Sequence, residues 1–172
     1  MRLDYLKLAL KHKYYVFRAG RKLGLGIWQL LTHDLSKLSL AEYTHYQRWF
    51  FENKDDPEGF AYAWLHHQNS NKHHWDYWIP RTSHRIGVQG GYDPQPMPMP
   101  EKYVREMVAD WMGAGMAYTG KEDVQPWLNK NYDKMKLHPE TESLLHKILR
   151  EQGFYWPPRA KTGRSGRVAV GC

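Results

Sequence analysis

The stretch His33-Asp34-Leu35-Ser36-Lys37 follows the apolar run Ile27-Trp28-Gln29-Leu30-Leu31, and the rest of the chain is organised around it. A neutral imidazole and a carboxylate are both good ligands for Zn, Mn, Fe or Co. Lys37 lies about one helical turn beyond Asp34, where its ammonium can hold an anion delivered to that metal. Taken alone, a His-Asp pair also fits a helix C-terminus followed by a surface turn. The remaining sequence must decide between these two interpretations.

Length and composition favour one globular domain. The chain has 172 residues, of which 41% are hydrophobic and 15% aromatic, although the mean hydropathy is −0.78. It contains no long apolar segment and no signal-peptide pattern, so we expect a soluble, cytoplasmic protein without a membrane partner, in the host cytoplasm if it is viral. The single cysteine, Cys172, excludes an internal disulfide and a cysteine-based zinc site. Any metal must therefore be held by histidines and carboxylates.

The net charge of +7 overstates the basic character of the folded part. Four basic residues lie in the acid-free segment 157–172, and subtracting them leaves +3 for the remainder. The sequence therefore predicts a single helical domain over residues 1–156 and a basic disordered tail over 157–172. The tail fits either a nucleic-acid-binding arm or a merely solubilising end.

Apolar residues recur every three or four positions through most of the chain, which predicts an all-α bundle. In the first helix, over residues 3–22, they form the stripe Leu3, Leu6, Leu10, Tyr14 and Phe17, and His12 lies on a neighbouring stripe. Ser39-Leu40-Ala41-Glu42 has the form of a capping box and predicts a third helix. Further helices are predicted to begin near Pro57, at Pro100-Glu101, near Val124 and at Pro139.

Polar residues interrupt this pattern at positions that can face the interior. Four histidines lie between His66 and His74, and Asp110 lies at the inward edge of its helix, where a buried carboxylate needs a partner. Between these two regions the Gly- and Pro-rich segment 87–100 is of the kind that forms a lid or rim. The candidate first metal-binding set is His12, His33, Asp34 and Asp110. A second metal or a phosphate would be served by His67, His73 and His74, with Asp34 able to bridge.

The order of these residues resembles the HD superfamily of metal-dependent phosphohydrolases, which use a His, a His-Asp pair and a distal Asp on a helical bundle. The segment 33–37 also resembles the HD-x-x-K form of cyclic-dinucleotide phosphodiesterases, although the GYP triplet of those enzymes is absent. The chain is more closely similar to an uncharacterised family of small phage and bacterial proteins. Its motifs match His33, Asp34, Ser36, Lys37, Glu42, His67, Asn71, His73, His74, Asp76, Tyr77, Trp78, Asp110 and Trp111.

The resemblance implies an HD-like fold with one or two divalent ions (Mn, Fe, Co, Zn or Mg) and hydrolysis of a phosphate ester by metal-activated water. Asp34 would orient that water and Lys37 would neutralise a phosphate oxygen. His67, His73 or His74 would protonate the leaving oxygen or bind the second ion. Asn71, Asp76 and Glu42 would act behind the ligands and fix imidazole tautomers. Trp75, Tyr77 and Trp78 either stack on a base or pack in the core.

These observations favour a phosphohydrolase acting on a nucleotide or another small phosphate ester. A nucleotide- or nucleic-acid-binding protein that keeps a non-catalytic metal site is the alternative, since the basic tail could contact nucleic acid. A purely structural metal site is a third hypothesis. The sequence leaves the substrate, the metal and the oligomeric state open.

Overall fold

The computed structural model describes residues 3–52, 56–80 and 95–156, and within these ranges the chain is all-α, as predicted. Three short 3-10 helices, at Leu35–Leu38, Trp75–Trp78 and Tyr132–Lys134, separate some of the α-helices. The α-helices of the described residues are α1 (Asp4–Lys22), α2 (Ile27–Thr32), α3 (Leu40–Phe51), α4 (Pro57–Ser70), α5 (Glu101–Thr119), α6 (Gln125–Asn131) and α7 (Pro139–Glu151). No helix in this part of the chain is both long and apolar enough to span a membrane.

Helices α1 and α5 form the centre of the bundle, and they meet through small side chains. A Cβ atom added to Gly113 of α5 would lie 2.6 Å from the backbone nitrogen of Val16 and 2.8 Å from its Cα. Contacts this short leave no room for a side chain, so the glycine permits the two backbones to approach closely. Val16 is fully buried in this contact.

Helix α1 buries the face that carries His12. Leu3, Leu10 and Tyr14 are at least half exposed, whereas His12 and Val16 are buried with Tyr5, Ala19 and Gly20. The inward face of α1 is therefore the stripe that carries His12, and most of the stripe of large apolar residues lies outside the core. Bulky side chains would hold α5 too far away for the close contact at Gly113, so the face with smaller residues packs inward and carries His12 with it.

A tight turn after α2 presents the His-Asp pair. Asp34 adopts the left-handed conformation, with φ 55° and ψ 25°, and is the only non-glycine residue with positive φ among the described residues. The Lys13 ammonium donates to the His33 carbonyl at 2.6 Å, which ties this turn to α1. Left-handed backbone is uncommon outside glycine, asparagine and aspartate, so the turn restricts which residues fit at position 34.

The capping box predicted at the start of α3 does not form. Ser39 occupies the N-cap position, but no side-chain cap hydrogen bond is present there. The Glu42 carboxylate instead accepts hydrogen bonds from His66 and His67 of α4, at 2.7 and 2.9 Å. Glu42 therefore contacts α4 instead of capping α3 as the local sequence pattern had predicted it would.

The C-terminal helices occur where the sequence places them. The predicted helix near Val124 to Met135 is α6 followed by the 3-10 turn Tyr132–Lys134, and α7 closes the core through Leu145, Ile148 and Leu149. The predicted tail, 157–172, lies outside the described residues, as does most of the predicted lid, namely its part at 87–94. In the described remainder of the lid, the Met97 N–H donates to the Trp78 carbonyl at 2.8 Å.

Candidate metal centre

Five separate parts of the chain bring the predicted ligands to one place. Helix α1 supplies His12, the turn after α2 supplies His33 and Asp34, α4 supplies His67, the segment after α4 supplies His73 and His74, and α5 supplies Asp110. All seven of these residues fall into groups that could hold a metal ion. The seven residues form two groups, described in turn below, which share Asp34.

The first group consists of His12, His33, Asp34 and Asp110, whose ligand atoms lie within 4.8 Å of one another. The Asp110 Oδ1 atom is 3.0 Å from His12 Nε2 and 3.3 Å from His33 Nε2. The Asp34 Oδ2 atom is 3.4 Å and 3.3 Å from the same two nitrogens. Two imidazoles and two carboxylates therefore converge on a common point from α1, α5 and the turn after α2.

The second group consists of Asp34, His67, His73 and His74. Here the other carboxylate oxygen, Asp34 Oδ1, lies 3.5 Å from His67 Nε2 and 3.4 Å from His73 Nε2. The two oxygens of Asp34 thus face different groups, Oδ2 the first and Oδ1 the second. This is the arrangement that a carboxylate bridging two ions requires.

Several buried atoms at the point of convergence lack hydrogen-bond partners among the described residues, despite their short distances. They are the Nε2 atoms of His12, His33, His73 and His74, Oδ1 of Asp34 and Oδ1 of Asp110. Buried polar groups are normally satisfied, and leaving one unsatisfied costs about 1 to 3 kcal/mol. Imidazole nitrogens and carboxylate oxygens with free lone pairs are the donor set for divalent metal, so these residues fit such an ion.

The candidate ligands differ in their protonation without metal. Burial raises the pKa of Asp34, but the charges of His33, Lys37 and His67 outweigh it and hold that pKa well below the usual value. Burial alone would lower the pKa of His33, whereas the charge of Asp34 and the hydrogen bond that His33 Nδ1 donates to Glu106 keep that pKa well above 6.5. Burial and the charge of His33 lower the pKa of His73 to about 3. His73 is therefore neutral, and Asp34 ionised, at neutral pH.

Lys37 lies beside the Asp34 carboxylate. Its Nζ is 2.5 Å from Asp34 Oδ2, and its side chain is 17% exposed. Burial lowers the pKa of this ammonium, but the charges of Asp34 and Asp110 more than compensate and raise it. Lys37 is thus a cation held at the first group with one side open to the adjoining cavity.

The residues predicted to act behind the ligands occupy different environments. Glu42 accepts from His67 Nδ1 at 2.9 Å, which leaves Nε2 of that ring facing Asp34. Asn71 donates to Ser36 Oγ at 2.7 Å and to the His67 carbonyl at 2.8 Å. Asp76 lines the cavity, where Gln68 donates a hydrogen bond to it, and burial raises its pKa.

Sequence reasoning missed Glu106. This buried residue of α5 lies 3.0 Å, through Oε1, from His33 Nδ1, and it forms a third close group with His33 and His73. A signal was present, because Glu106 precedes Asp110 by four residues and therefore lies on the same face of the helix.

A cavity of about 570 Å³ opens onto both groups. It is bounded by His12, Lys37, His67, His73, His74 and Asp110 at the metal centre. Aromatic rings form much of the remaining wall, from Trp64, Trp75, Trp111, Tyr118 and Trp127. Of the three aromatic residues singled out in the sequence, Trp75 lines this cavity, whereas Trp78 packs on Tyr103 with ring centroids 5.9 Å apart.

Comparison with known proteins places the chain in a family without assigning it a chemistry. Neither the curated proteins nor the solved structures provide a significant match. A family described as a family of unknown function, DUF5662, matches residues 1–151 and so includes every residue of the two ligand groups. The chain belongs to the DUF5662 family.

Proposed function

We propose that this protein is a metal-dependent phosphohydrolase that holds two divalent ions and acts on a nucleotide or another phosphate ester. The observation that carries the proposal is the position of Asp34, whose two oxygens face two separate groups of imidazoles. Pairs of ions sharing a carboxylate are typical of enzymes that cleave phosphate esters. The resemblance to the HD superfamily points to the same chemistry.

The ions would supply Lewis acidity and a water of lowered pKa. His12, His33 and Asp110 hold the first ion, and His67, His73 and His74 hold the second, with Asp34 shared. Because Asp34 is buried and its side chain is fixed between both groups, it orients whatever binds between them. The protein thereby sets the geometry of attack before substrate arrives.

Lys37 binds the phosphate. Its ammonium lies next to Asp34 and faces the cavity, where it can neutralise a non-bridging phosphate oxygen. His67 fits a ligand better than a proton donor, because Glu42 engages its Nδ1 and Asp34 faces its Nε2. Of the two roles that the sequence leaves open for His67, the contacts favour metal binding.

The walls of the cavity favour a substrate with a planar ring. The cavity volume of about 570 Å³ exceeds the space that a phosphate group alone needs. The rings of Trp111 and Trp127 pack on each other at its wall, with centroids 4.8 Å apart. Indole rings provide stacking surfaces for nucleobases. These features support a nucleotide as the substrate.

The test begins with the full chain purified without chelators. We expect up to two equivalents of transition metal per chain by elemental analysis. We also expect hydrolysis of at least one member of a panel of nucleotides and generic phosphate mono- and diesters. Asp34→Asn should abolish hydrolysis, whereas His45→Gln, which alters a histidine paired with Asp56 outside both groups, should keep it.

Two results would count against the proposal. The first is a protein that binds no divalent metal at neutral pH. The second is hydrolysis that Asp34→Asn leaves unchanged, since such activity would come from a contaminant or from another site.

A further inference from the structure

Glu106 lies near one histidine of each ligand group, on the Nδ1 side of both rings. Its Oε1 atom is 3.0 Å from His33 Nδ1 and 3.6 Å from His73 Nδ1. His33 belongs to the first group and His73 to the second. One buried carboxylate therefore faces one imidazole of each group, on the side of the rings opposite to Asp34.

The other oxygen of Glu106 is fixed as well. Gln29 donates to Oε2 at 2.6 Å, and the same Gln29 amide nitrogen donates to the Lys102 carbonyl at 3.1 Å. The Glu106 side chain is only 6% exposed. Because both oxygens are occupied and the residue is buried, the carboxylate is held in one orientation.

The contact with His33 Nδ1 is a hydrogen bond, whereas the 3.6 Å separation from His73 Nδ1 is a charge interaction, and both favour a proton on Nδ1. A carboxylate facing Nδ1 keeps the proton on that nitrogen, which leaves the lone pair on Nε2. The Nε2 atoms of His33 and His73 are the ones that face Asp34, at 3.3 and 3.4 Å. In the neutral form that can bind an ion, each ring would therefore present Nε2 to the metal centre, and an ion at His33 would have to displace the second proton that the surrounding carboxylates keep on that ring.

The same three residues could instead be taken as a third metal site, since their ligand atoms also lie within 4.8 Å of one another. The pairing of the atoms argues against it. Within the part of the chain that the structure describes, His33 Nε2 and His73 Nε2 have no hydrogen-bond partner, whereas His33 Nδ1 and both oxygens of Glu106 have close contacts. A metal at Glu106 would also require His33 to give up its Nδ1 proton and bind ions through both nitrogens.

We propose that Glu106 is a positioning residue that holds His33 and His73 as Nε2 ligands at the same time and so supports both metal sites. The inference rests on the two-ion centre of the proposed function. It does not depend on what the centre hydrolyses. Its consequence is that one substitution outside the ligands weakens binding of both ions.

Glu42 provides the matched control. It is also a buried carboxylate on the Nδ1 side of a ligand, but the candidate ligand it accepts from is His67, of the second group. Glu106→Gln should therefore affect both ions and Glu42→Gln only one. Loss of a carboxylate behind a metal-bound imidazole lowers metal affinity about 10- to 100-fold.

A rescue variant separates positioning from a general effect on folding. An amide at position 106 has one oxygen, and the Gln29 donor competes with His33 for it. Removing that donor in the double variant Glu106→Gln/Gln29→Ala frees the oxygen to accept from His33. We expect this double variant to regain part of the affinity for the first ion that Glu106→Gln loses.

The experiment titrates metal-free full-length protein with Co²⁺ and follows stoichiometry by calorimetry and coordination by visible absorption. The expected result is a 10- to 100-fold loss at both sites for Glu106→Gln and at one site for Glu42→Gln. The inference is overturned if Glu106→Gln weakens one site only, if both affinities are unchanged, or if the double variant regains nothing. Binding that follows the expected pattern without hydrolysis of any phosphate ester would refute the proposed function and leave the role of Glu106 intact.

Discussion

Asp34→Asn is the most informative substitution at the metal centre. Asparagine accepts the left-handed backbone found at position 34, so the change keeps the turn and nearly all the side-chain volume. It leaves one oxygen where two now face separate ligand groups. The variant can therefore serve one ion through this side chain but cannot bridge two.

The expected change in Tm follows from the free energy by which bound metal stabilises the folded state. A ligand at 100 times its dissociation constant stabilises the fold by about 2.7 kcal/mol, so two ions contribute roughly 5 kcal/mol. For a domain of this length each kcal/mol raises Tm by about 2 to 4 °C, which gives roughly 10 to 20 °C for the wild type. We expect Asp34→Asn to show at most about half of that metal-induced shift.

The assay is differential scanning calorimetry of metal-stripped protein with and without Mn²⁺. The quantity to compare is the metal-induced shift, because Asp34→Asn also removes the partner of Lys37 and so lowers the Tm of the metal-free protein. His45→Gln serves as the control, with a full shift expected. A full shift in Asp34→Asn would refute the shared carboxylate, and no shift in the wild type would refute the metal centre.

Three further predictions concern phosphate binding, pH and the cavity wall. Lys37→Met should lower kcat/KM for phosphate esters by about 10² to 10³ without weakening metal binding in calorimetry, because Lys37 is a cation and not a ligand; weaker metal binding would contradict this role. The metal-free protein should lose stability in urea titrations as the pH falls from 6.5 towards 3. In that range the unfolded chain protonates His73 and the folded protein, in which its pKa is about 3, does not. His33 adds no slope there, because its raised pKa keeps it protonated in both states; a flat profile would contradict the assignment. Trp127→Leu should raise KM for a nucleotide about 5- to 150-fold, the equivalent of 1 to 3 kcal/mol of stacking, and leave KM for a small aliphatic phosphate unchanged. Equal changes for both substrates would argue against stacking.

The sequence allowed the helices and the ligand groups to be predicted because both depend on local spacing. His33 and Asp34 are adjacent, and His67, His73 and His74 follow one another closely. Asp110 could be included because it lies at the edge of an apolar helix face. The charge on that residue required a buried partner, and the structure supplies His12 and His33.

What the sequence did not reveal depends on contacts between distant elements. A glutamate in a helix is most often a surface residue. Glu106 becomes an interior residue because Gln29, His33 and His73 pack around it. The buried face of α1 is chosen by the fit to α5 and not by hydrophobicity, as the exposed Leu10 shows. Glu42 likewise serves α4 although its local pattern fits a helix cap.

The close contact between Gly113 and Val16 gives a residue without a side chain an influence on the metal centre. Val16 lies one turn from His12 on α1, and Gly113 lies one turn from Asp110 on α5, so the two pairs are neighbouring levels of one helix crossing. A methyl group at position 113 meets the Val16 backbone and must push the helices apart, which lengthens the 3.0 Å separation of His12 and Asp110. In a comprehensive mutational survey scored by metal-dependent activity, position 113 would therefore be as intolerant as a ligand.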